Sequence, residues 1–443
     1  MLFSPELLFS PEFVALPFDW NTLLYGAGLA GTLAGAAGVA SVFTHEESGG
    51  PEGIDMDTLK ERVAKLESST ARTLEENEEL ATAYAIWAAV LSDEGANLNE
   101  IGNLYSKAEG ILKATLAQGN DVEIRRRLGG VYLAWGVALN DYDDLAAAIN
   151  RYQQAIDVLK PLDDSGDGEA KYEIAGIKLN LGVVYRELGE YKKAQTTFDE
   201  SFLAYRAVEK IGAMFDTRFF MAKVSVQQGN LLSEMGETLD KIVDAYNRAM
   251  RLFVEVIEDA GSPELERDLA NVLLDRCRAI YEDCLSPRLE SGGTQDKVSH
   301  EEPSKVIDSV LIDIGRGIEL LEKQCHEGNK FSRYDLFYGL SFQGQVLCDP
   351  ITAKYDEAKK ILDRVISEFS DLCAEGDDMV LMQMAMVHYY RALVHLGLGS
   401  KGLSKQDCQK GSELVNQLLQ SNSDDEAIRE LKQQFQELLG QSG

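Results

Sequence analysis

Residues 163–168 (DDSGDG) follow the pattern of acidic residues that opens a calcium-binding loop. Such a loop needs a bidentate glutamate at its twelfth position. This position is Ile174 here, and Glu173 comes one place early. Because the strongest ligand is misplaced, residues 162–173 are interpreted as a solvated loop between helices. The sequence therefore predicts no metal site.

Histidine and cysteine side chains do not form a catalytic pattern either. His388 and His395 share one face of a predicted helix, but two turns separate them by about 10.5 Å, too far to bind one metal ion. Cys325 and His326 are adjacent and point about 100° apart on a helix, which disfavours a nucleophile–base pair. No phosphate-binding glycine loop, G-x-S-x-G or H-E-x-x-H motif occurs. We therefore expect neither enzymatic activity nor a cofactor.

All six cysteines lie after residue 270, and none forms a C-x-x-C pair that would indicate zinc or redox chemistry. Cys277 and Cys284 are two turns apart on one predicted helix, too far for a disulfide. We interpret the cysteines as small core residues in a reducing compartment.

Acidic residues outnumber basic residues by 74 to 43, which gives a formal net charge of −31. Nucleic acid and anionic lipid bind to clustered Lys and Arg, so this charge argues against both as main partners. Two interpretations stay open: the acidity only keeps a large helical surface soluble, or it favours basic partners. The hydrophobic content of 45% is enough for a packed core.

Residues 178–204 (KLNLGVVYRELGEYKKAQTTFDESFLA) carry the pattern that organises the rest of the chain. They predict two short helices packed against each other. Gly182 lies on one face of the first helix and lets a neighbouring helix approach closely, while Tyr185 and Phe198 fill the space around it. A lone helix pair cannot bury its own apolar face, so further copies in register are expected.

Copies of this pattern do follow in register. The first helices carry Gly136, Gly182 and Gly229 at matching places, and residues 355–362 (YDEAKKIL) echo residues 191–198 (YKKAQTTF). This spacing resembles the tetratricopeptide repeat (TPR), a helix-pair unit of about 34 residues.

The resemblance covers roughly residues 79–420 and implies an all-α fold, a right-handed superhelical solenoid of about seven TPR-like helix pairs. In this family the first helices of successive repeats line a groove that accepts an extended peptide or a partner helix. By register with the repeat glycines, the expected groove residues are Asn140, Arg186, Lys223, Gln227 and Asn230. Leu133, Val137 and Gln227 depart from the Lys, Asn and Arg of the family's carboxylate clamp, which argues against binding of a chaperone tail.

Residues 20–43 (WNTLLYGAGLAGTLAGAAGVASVF) form an uncharged run. As a helix, this run would span about 36 Å, enough to cross a bilayer with some tilt. Ala27, Gly31 and Gly35 form a small-x-x-x-small face that lets membrane helices pack closely. Basic residues begin at Lys60, which by the positive-inside rule places the C-terminal bulk in the cytoplasm. The alternative is a Gly/Ala-rich flexible or buried segment.

The leading hypothesis is a membrane-anchored scaffold or adaptor that binds other proteins on the cytoplasmic side, with no role in nucleic-acid binding. The alternatives are a self-assembling structural homo-oligomer and an import or sorting receptor. The predicted segments, in chain order, are an acidic and aromatic tail (1–19), a transmembrane helix (20–43), a hinge (44–53), a connecting helix or short coiled coil (54–80), the TPR-like solenoid (81–420) and a C-terminal capping helix (421–443).

Overall fold

Helices make up nearly all of the described chain. The computed structural model describes residues 56–69, 71–119, 121–212, 217–260, 265–289, 303–326, 328–350, 352–421 and 425–441. These residues form sixteen α-helices and one short 3₁₀ helix and contain no β-strand, so the expected all-α class is confirmed for them. They fall into two compact units, an N-terminal unit that ends at Gly236 and a C-terminal unit that begins at Glu237.

The described part of the N-terminal unit contains eight helices. They are α1 (Met56–Ser68), α2 (Leu74–Asp93), α3 (Leu98–Leu116), α4 (Val122–Asp141), α5 (Leu145–Asp164), α6 (Gly168–Glu187), α7 (Tyr191–Lys210) and α8 (Thr217–Glu234). Three antiparallel pairs pack along their lengths: α2 with α3, α4 with α5, and α6 with α7. Aspartate caps begin the first helices of two pairs, because Asp121 and Asp167 each accept hydrogen bonds from two backbone N–H groups.

Short turns connect the helices of the two central pairs, in which every helix has 20 residues. Asp143 and Gly189 occupy the same place in successive turns and both adopt the left-handed conformation, with φ of 61° and 69°. Glycine adopts this conformation freely, whereas aspartate does so at some cost. With turns of three residues, the helix pair repeats every 46 positions, which is longer than the family's unit of about 34 residues.

The glycines of the first helices allow the paired helices to lie unusually close. A Cβ atom on Gly136 would lie 2.6 Å from the ring of Tyr152, and one on Gly182 would lie 2.5 Å from the ring of Phe198. Both rings are fully buried. The expected contact between a glycine of one helix and an aromatic ring of the next is therefore confirmed for these two pairs, and it sets the distance between α4 and α5 and between α6 and α7.

The described part of the C-terminal unit also contains eight helices. They are α9 (Leu239–Ala260), α10 (Glu266–Leu289), α11 (Pro303–His326), α12 (Lys330–Cys348), α13 (Tyr355–Phe369), α14 (Asp378–Gly397), α15 (Lys401–Ser421) and α16 (Glu426–Gln441). α10 packs with α11, α12 with α13, and α14 with α15, while α16 covers α15 and part of α14. Gly344 repeats the close approach seen above, because its Cβ would lie 2.5 Å from Leu362. Both units are therefore built from pairs of packed helices.

The connecting helix expected over residues 54–80 is interrupted in the structure. α1 ends at Ser68, and α2 begins at Leu74. The cause is a capping box: the Thr73 hydroxyl accepts a hydrogen bond from the Glu76 backbone, and the Glu76 carboxylate accepts one from the Thr73 backbone. The four- and three-residue spacing of apolar residues across this region therefore belongs to two helices.

The expected transmembrane helix over residues 20–43, with its packing residues Ala27, Gly31 and Gly35, lies outside the described residues. The expected tail and hinge on either side of it also lie outside them. Among the helices that the structure does describe, none is both long and apolar enough to cross a bilayer.

Candidate partner-binding face

The first helices of the N-terminal unit form a common surface. α2, α4, α6 and α8 each contact the next helix of this series directly. The second helices α3, α5 and α7 each pack against the first helix before them and the first helix after them. We call the surface formed by α2, α4, α6 and α8 the first-helix face, and all five expected groove residues lie on its helices.

Two arginines of α4 connect this helix to its neighbours on the first-helix face, α2 and α6. Arg127 donates a 3.1 Å hydrogen bond to the Thr82 hydroxyl of α2 and lies 3.4 Å from the carboxylate of Glu78. Arg126 reaches towards α6, where its guanidinium lies 2.6 Å from the carboxylate of Asp167. Charge-assisted hydrogen bonds of this kind are geometrically specific. They therefore hold α2, α4 and α6 at a defined spacing.

Arg186 makes the corresponding link from α6 to α8. It donates a 2.9 Å hydrogen bond to Gln227 Oε1, and its guanidinium lies 3.4 Å from Glu234. Its side chain is only 3% exposed. The structure therefore brings together two of the expected groove residues, Arg186 and Gln227, but as partners of each other. Asn230 is also buried.

The other two expected groove residues, Asn140 and Lys223, are half-buried. The side-chain oxygen of Asn140 is buried and accepts no hydrogen bond from any described residue. The ammonium group of Lys223 lies 4.9 Å from the centre of the Phe219 ring, one turn earlier on α8. These two side chains offer polar groups that the links between helices do not use.

Each of the first helices ends in an acidic residue: Asp93, Asp141, Glu187 and Glu234 for α2, α4, α6 and α8. A carboxylate at this end opposes the helix dipole. Surrounding protein excludes water and raises the pKa of Asp93 to about 6. The same effect, with the charges of Asp93 and Glu187, raises the pKa of Asp141 to about 7. Asp93, Asp141 and Glu187 are nevertheless exposed and form an accessible carboxylate row, whereas Glu234 pairs with Arg186.

The acidic residues of the calcium-like pattern are used in other ways. The loop expected over residues 162–173 is mostly helical, because α5 continues to Asp164 and α6 begins at Gly168. Asp167 caps α6 and pairs with Arg126. Within the residues that the structure describes, no three potential ligands are grouped so as to hold a metal ion.

A second polar cluster lies inside the C-terminal unit. Asp407 of α15 accepts a 2.9 Å hydrogen bond from Nδ1 of His388 and bonds of 2.5–3.1 Å from the guanidinium of Arg391. Nε2 of His395 lies 3.5 Å from its other oxygen. Arg391 also donates a 2.8 Å hydrogen bond to Asp363 of α13. We call these five residues the buried histidine network, because both histidines and Asp407 are at most 5% exposed.

This network was not expected from the sequence, although part of its signal is visible there. His388, Arg391 and His395 follow at steps of three and four on an otherwise apolar helix, which indicates a polar stripe on one face. The two histidines are too far apart for one metal ion, but a carboxylate lies between them, hydrogen-bonded to His388 and 3.5 Å from His395. Burial acts to raise the pKa of Asp407, but hydrogen bonds from His388 and Arg391 outweigh it and hold that pKa below its ordinary value.

The cysteines whose side chains are described are free thiols: Cys277, Cys325, Cys348, Cys373 and Cys408. Burial raises the pKa of Cys277 to about 12 and that of Cys408 to about 11. A thiol with so high a pKa is a poor nucleophile at neutral pH. Cys277 and Cys408 therefore serve as packing residues and not as reactive thiols.

The chain is similar in structure to several solved helical-repeat proteins. A scan against protein-family models found no match, and a search of curated proteins found none. A solved Rap protein complexed with competence and sporulation factor is 13% identical, with 94% of this chain and 99% of that chain covered and a TM-score of 0.47. The apo quorum sensor NprR from B. thuringiensis is 13% identical, with 82% and 83% covered and a TM-score of 0.46. A tetratricopeptide repeat protein from Parabacteroides merdae is 15% identical, with 80% and 98% covered and a TM-score of 0.36. At these identities and TM-scores, the similarity decides nothing about function.

Proposed function

We propose that this chain is a scaffold or adaptor that binds other proteins on the first-helix face of its N-terminal unit. The observation that carries the proposal is the set of arginine contacts that join α2 to α4, α4 to α6 and α6 to α8. A surface that is already fixed loses little conformational entropy when a partner binds, which favours affinity. The proposal assigns no catalytic step and no cofactor to the chain.

The proposed ligand is an extended peptide or a partner helix that lies across the first helices. The side-chain N–H groups of Asn140 can donate hydrogen bonds to the carbonyl groups of a peptide, and Lys223 can pair with a carboxylate or a carbonyl group. The carboxylate row gives the same face negative charge, so a segment with basic residues is the preferred ligand. Surface charge of this kind acts mainly on the association rate and is weakened by salt.

Site-specific crosslinking tests this assignment. A photoreactive amino acid at Asn140 or Lys223 should form adducts with partner proteins in cells. The matched control is Gln153, which is exposed on α5, away from the first helices. A synthetic peptide that covers the crosslinked segment should then bind the purified chain, and the affinity should fall as salt is added. Equal adducts from position 153 would refute the assignment to the first-helix face.

We propose further that residues 20–43 anchor the scaffold to a membrane and leave its helical units in the cytoplasm. The support is the uncharged sequence of this run. The full chain should stay in the membrane fraction after carbonate extraction, whereas a chain beginning at Gly53 should be released. Release of both proteins would refute the anchor.

Leucine at both Gly31 and Gly35 separates this proposal from structural self-assembly. Under self-assembly, the double variant should lose self-association in the membrane, because bulky side chains block close helix packing. Under the scaffold proposal, the same variant should keep its crosslinks from Asn140 and Lys223.

A further inference from the structure

The contact between α14 and α15 has a charged group at its centre. Asp407 is 2% exposed and lies beside the apolar core that α14, α15 and α16 share. Arg391 lies between Asp407 and Asp363, and Asp363 also pairs with Lys359 at 2.7 Å. With neutral imidazoles, the two cations and the two carboxylates of this cluster balance. Any further positive charge has no carboxylate of its own.

His395 is the residue of this cluster whose ring nitrogens are least well satisfied by hydrogen bonds. Its Nδ1 atom is buried and has no hydrogen-bond partner among the described residues. Its Nε2 atom lies 3.5 Å from Asp407, which is longer than an ordinary hydrogen bond. Protonation would create a buried N–H group that no described acceptor meets, and would place a cation near Arg391 and Lys359. The neutral ring therefore fits the folded state better than the charged ring.

Within the described residues, the elements that pack against α14 offer His395 no carboxylate beyond Asp363 and Asp407. From α13 come Lys359 and Asp363, and from α15 come Asp407 and Cys408. Glu437 of α16 faces Tyr389, and Cys348 of α12 faces Tyr390, both elsewhere on α14. The short 3₁₀ helix (Leu372–Glu375) contributes Cys373, whose thiol is half-buried. Both carboxylates close to His395 already bind Arg391.

We propose that the α14–α15 contact is an acid-sensitive element, which opens as His395 takes up a proton and uncovers the apolar face of α14. The opened state frees buried side chains such as Leu381, Ala385 and Tyr389. The C-terminal unit would then present a new apolar surface under mildly acidic conditions, while the N-terminal unit stays folded.

The sign of the pH dependence follows from the burial of the ring. Burial lowers the pKa of His395 from its ordinary value of 6.5. The opened state, in which the ring is hydrated, therefore binds the proton more readily than the closed state. The contact has its full stability above pH 6.5 and loses stability as the pH falls through the lower pKa of the closed state. The raised pKa values of Asp141 and Glu173, both about 7, act in the opposite direction in the N-terminal unit.

Hydrogen exchange followed by mass spectrometry tests the proposal on the full chain. Between pH 7.5 and 5.5, after correction for intrinsic rates, amides of α14 and α15 should exchange faster, by up to about tenfold per pH unit for one coupled proton. Amides of α4 to α7 should show no such gain. His395→Gln should abolish the acid response, whereas His326→Gln, a matched change at an exposed histidine, should leave it intact.

Exchange at the C2 position of the imidazole rings gives a second readout that needs no variant. The titration midpoint of His395 in the wild-type chain should lie below 6.5, the ordinary value for histidine. Three results would each overturn the proposal: no acid-dependent gain in α14 and α15, an acid response that persists in His395→Gln, or a His395 midpoint at or above 6.5.

Discussion

Replacement of Gly182 by alanine should destabilise the N-terminal unit, although alanine is the better helix former. A Cβ atom at this position of α6 would lie 2.5 Å from Cε1 and 2.6 Å from Cδ1 of Phe198. These distances are about 1 Å shorter than ordinary carbon–carbon contacts. Phe198 is fully buried, so its ring cannot move aside without displacing its neighbours.

The size of the effect follows from two opposing terms. Alanine gains about 1 kcal/mol over glycine in a helix interior, and forcing an extra methyl group into a packed core costs about 1–3 kcal/mol. Gly110 in α3 is the matched control, because no atom lies within 4 Å of its Cβ position. Gly110→Ala should therefore stabilise the unit by about 1 kcal/mol. The propensity term cancels between the two variants, so their difference of about 1–3 kcal/mol measures the contact with Phe198 alone.

Urea unfolding of the full chain, followed by far-ultraviolet circular dichroism, measures both variants. Hydrogen exchange of peptides from α6 and α7 then assigns the change to the N-terminal unit. Gly110→Ala should be more stable than the wild type, and Gly182→Ala should be the least stable. If the two variants have equal free energies of unfolding, the ring of Phe198 does not set the distance between α6 and α7.

Three further predictions concern aspartates in unusual surroundings. Asp141→Asn should stabilise the chain at pH 8 by about 1 kcal/mol, after allowance for solvent screening of this exposed carboxylate. The gain in the urea midpoint should shrink towards pH 5, because the raised pKa of Asp141 leaves the wild-type carboxyl group protonated there. Asp143→Gly should raise the melting temperature through a gain of about 1 kcal/mol, since glycine adopts the left-handed turn without strain; an unchanged melting temperature would show that the turn is not strained. Asp407→Asn should cost about 3–5 kcal/mol, measured by urea unfolding, because it leaves the partly buried Arg391 without its main carboxylate. A loss below about 1 kcal/mol would mean that water or Asp363 replaces this carboxylate.

The paired helices could be predicted from the sequence because their closest contacts are short-range and depend on residue size. Gly182 and Phe198 lie 16 positions apart on two consecutive helices, and a position without a side chain next to a large ring is a distinctive pattern. The same reasoning finds Gly136 with Tyr152. The helix boundaries were less predictable. The break before α2 depends on two hydrogen bonds at Thr73, and not on a change in composition.

The candidate site was less predictable, because its side chains find partners on other repeats. The register places Arg186 on α6, one of the first helices of the N-terminal unit. It cannot show that the guanidinium reaches Gln227, 41 positions later, and becomes buried there. The same limit applies to His388, whose partner Asp407 lies on the next helix. Periodicity shows which face of a helix a residue occupies, but the length of the side chain decides which neighbouring residue it can bond to.

The equal lengths of the four central helices and their three-residue turns have an evolutionary consequence. A segment such as residues 145–190 is a complete cassette, which begins with α5 and ends just before α7. After duplication or deletion of one whole segment of this kind, the helices on either side would still pack against each other in the same register. Loss of only a few residues would rotate the packing faces of the following helices relative to the preceding helices. Homologous arrays should therefore differ in size by whole multiples of this module.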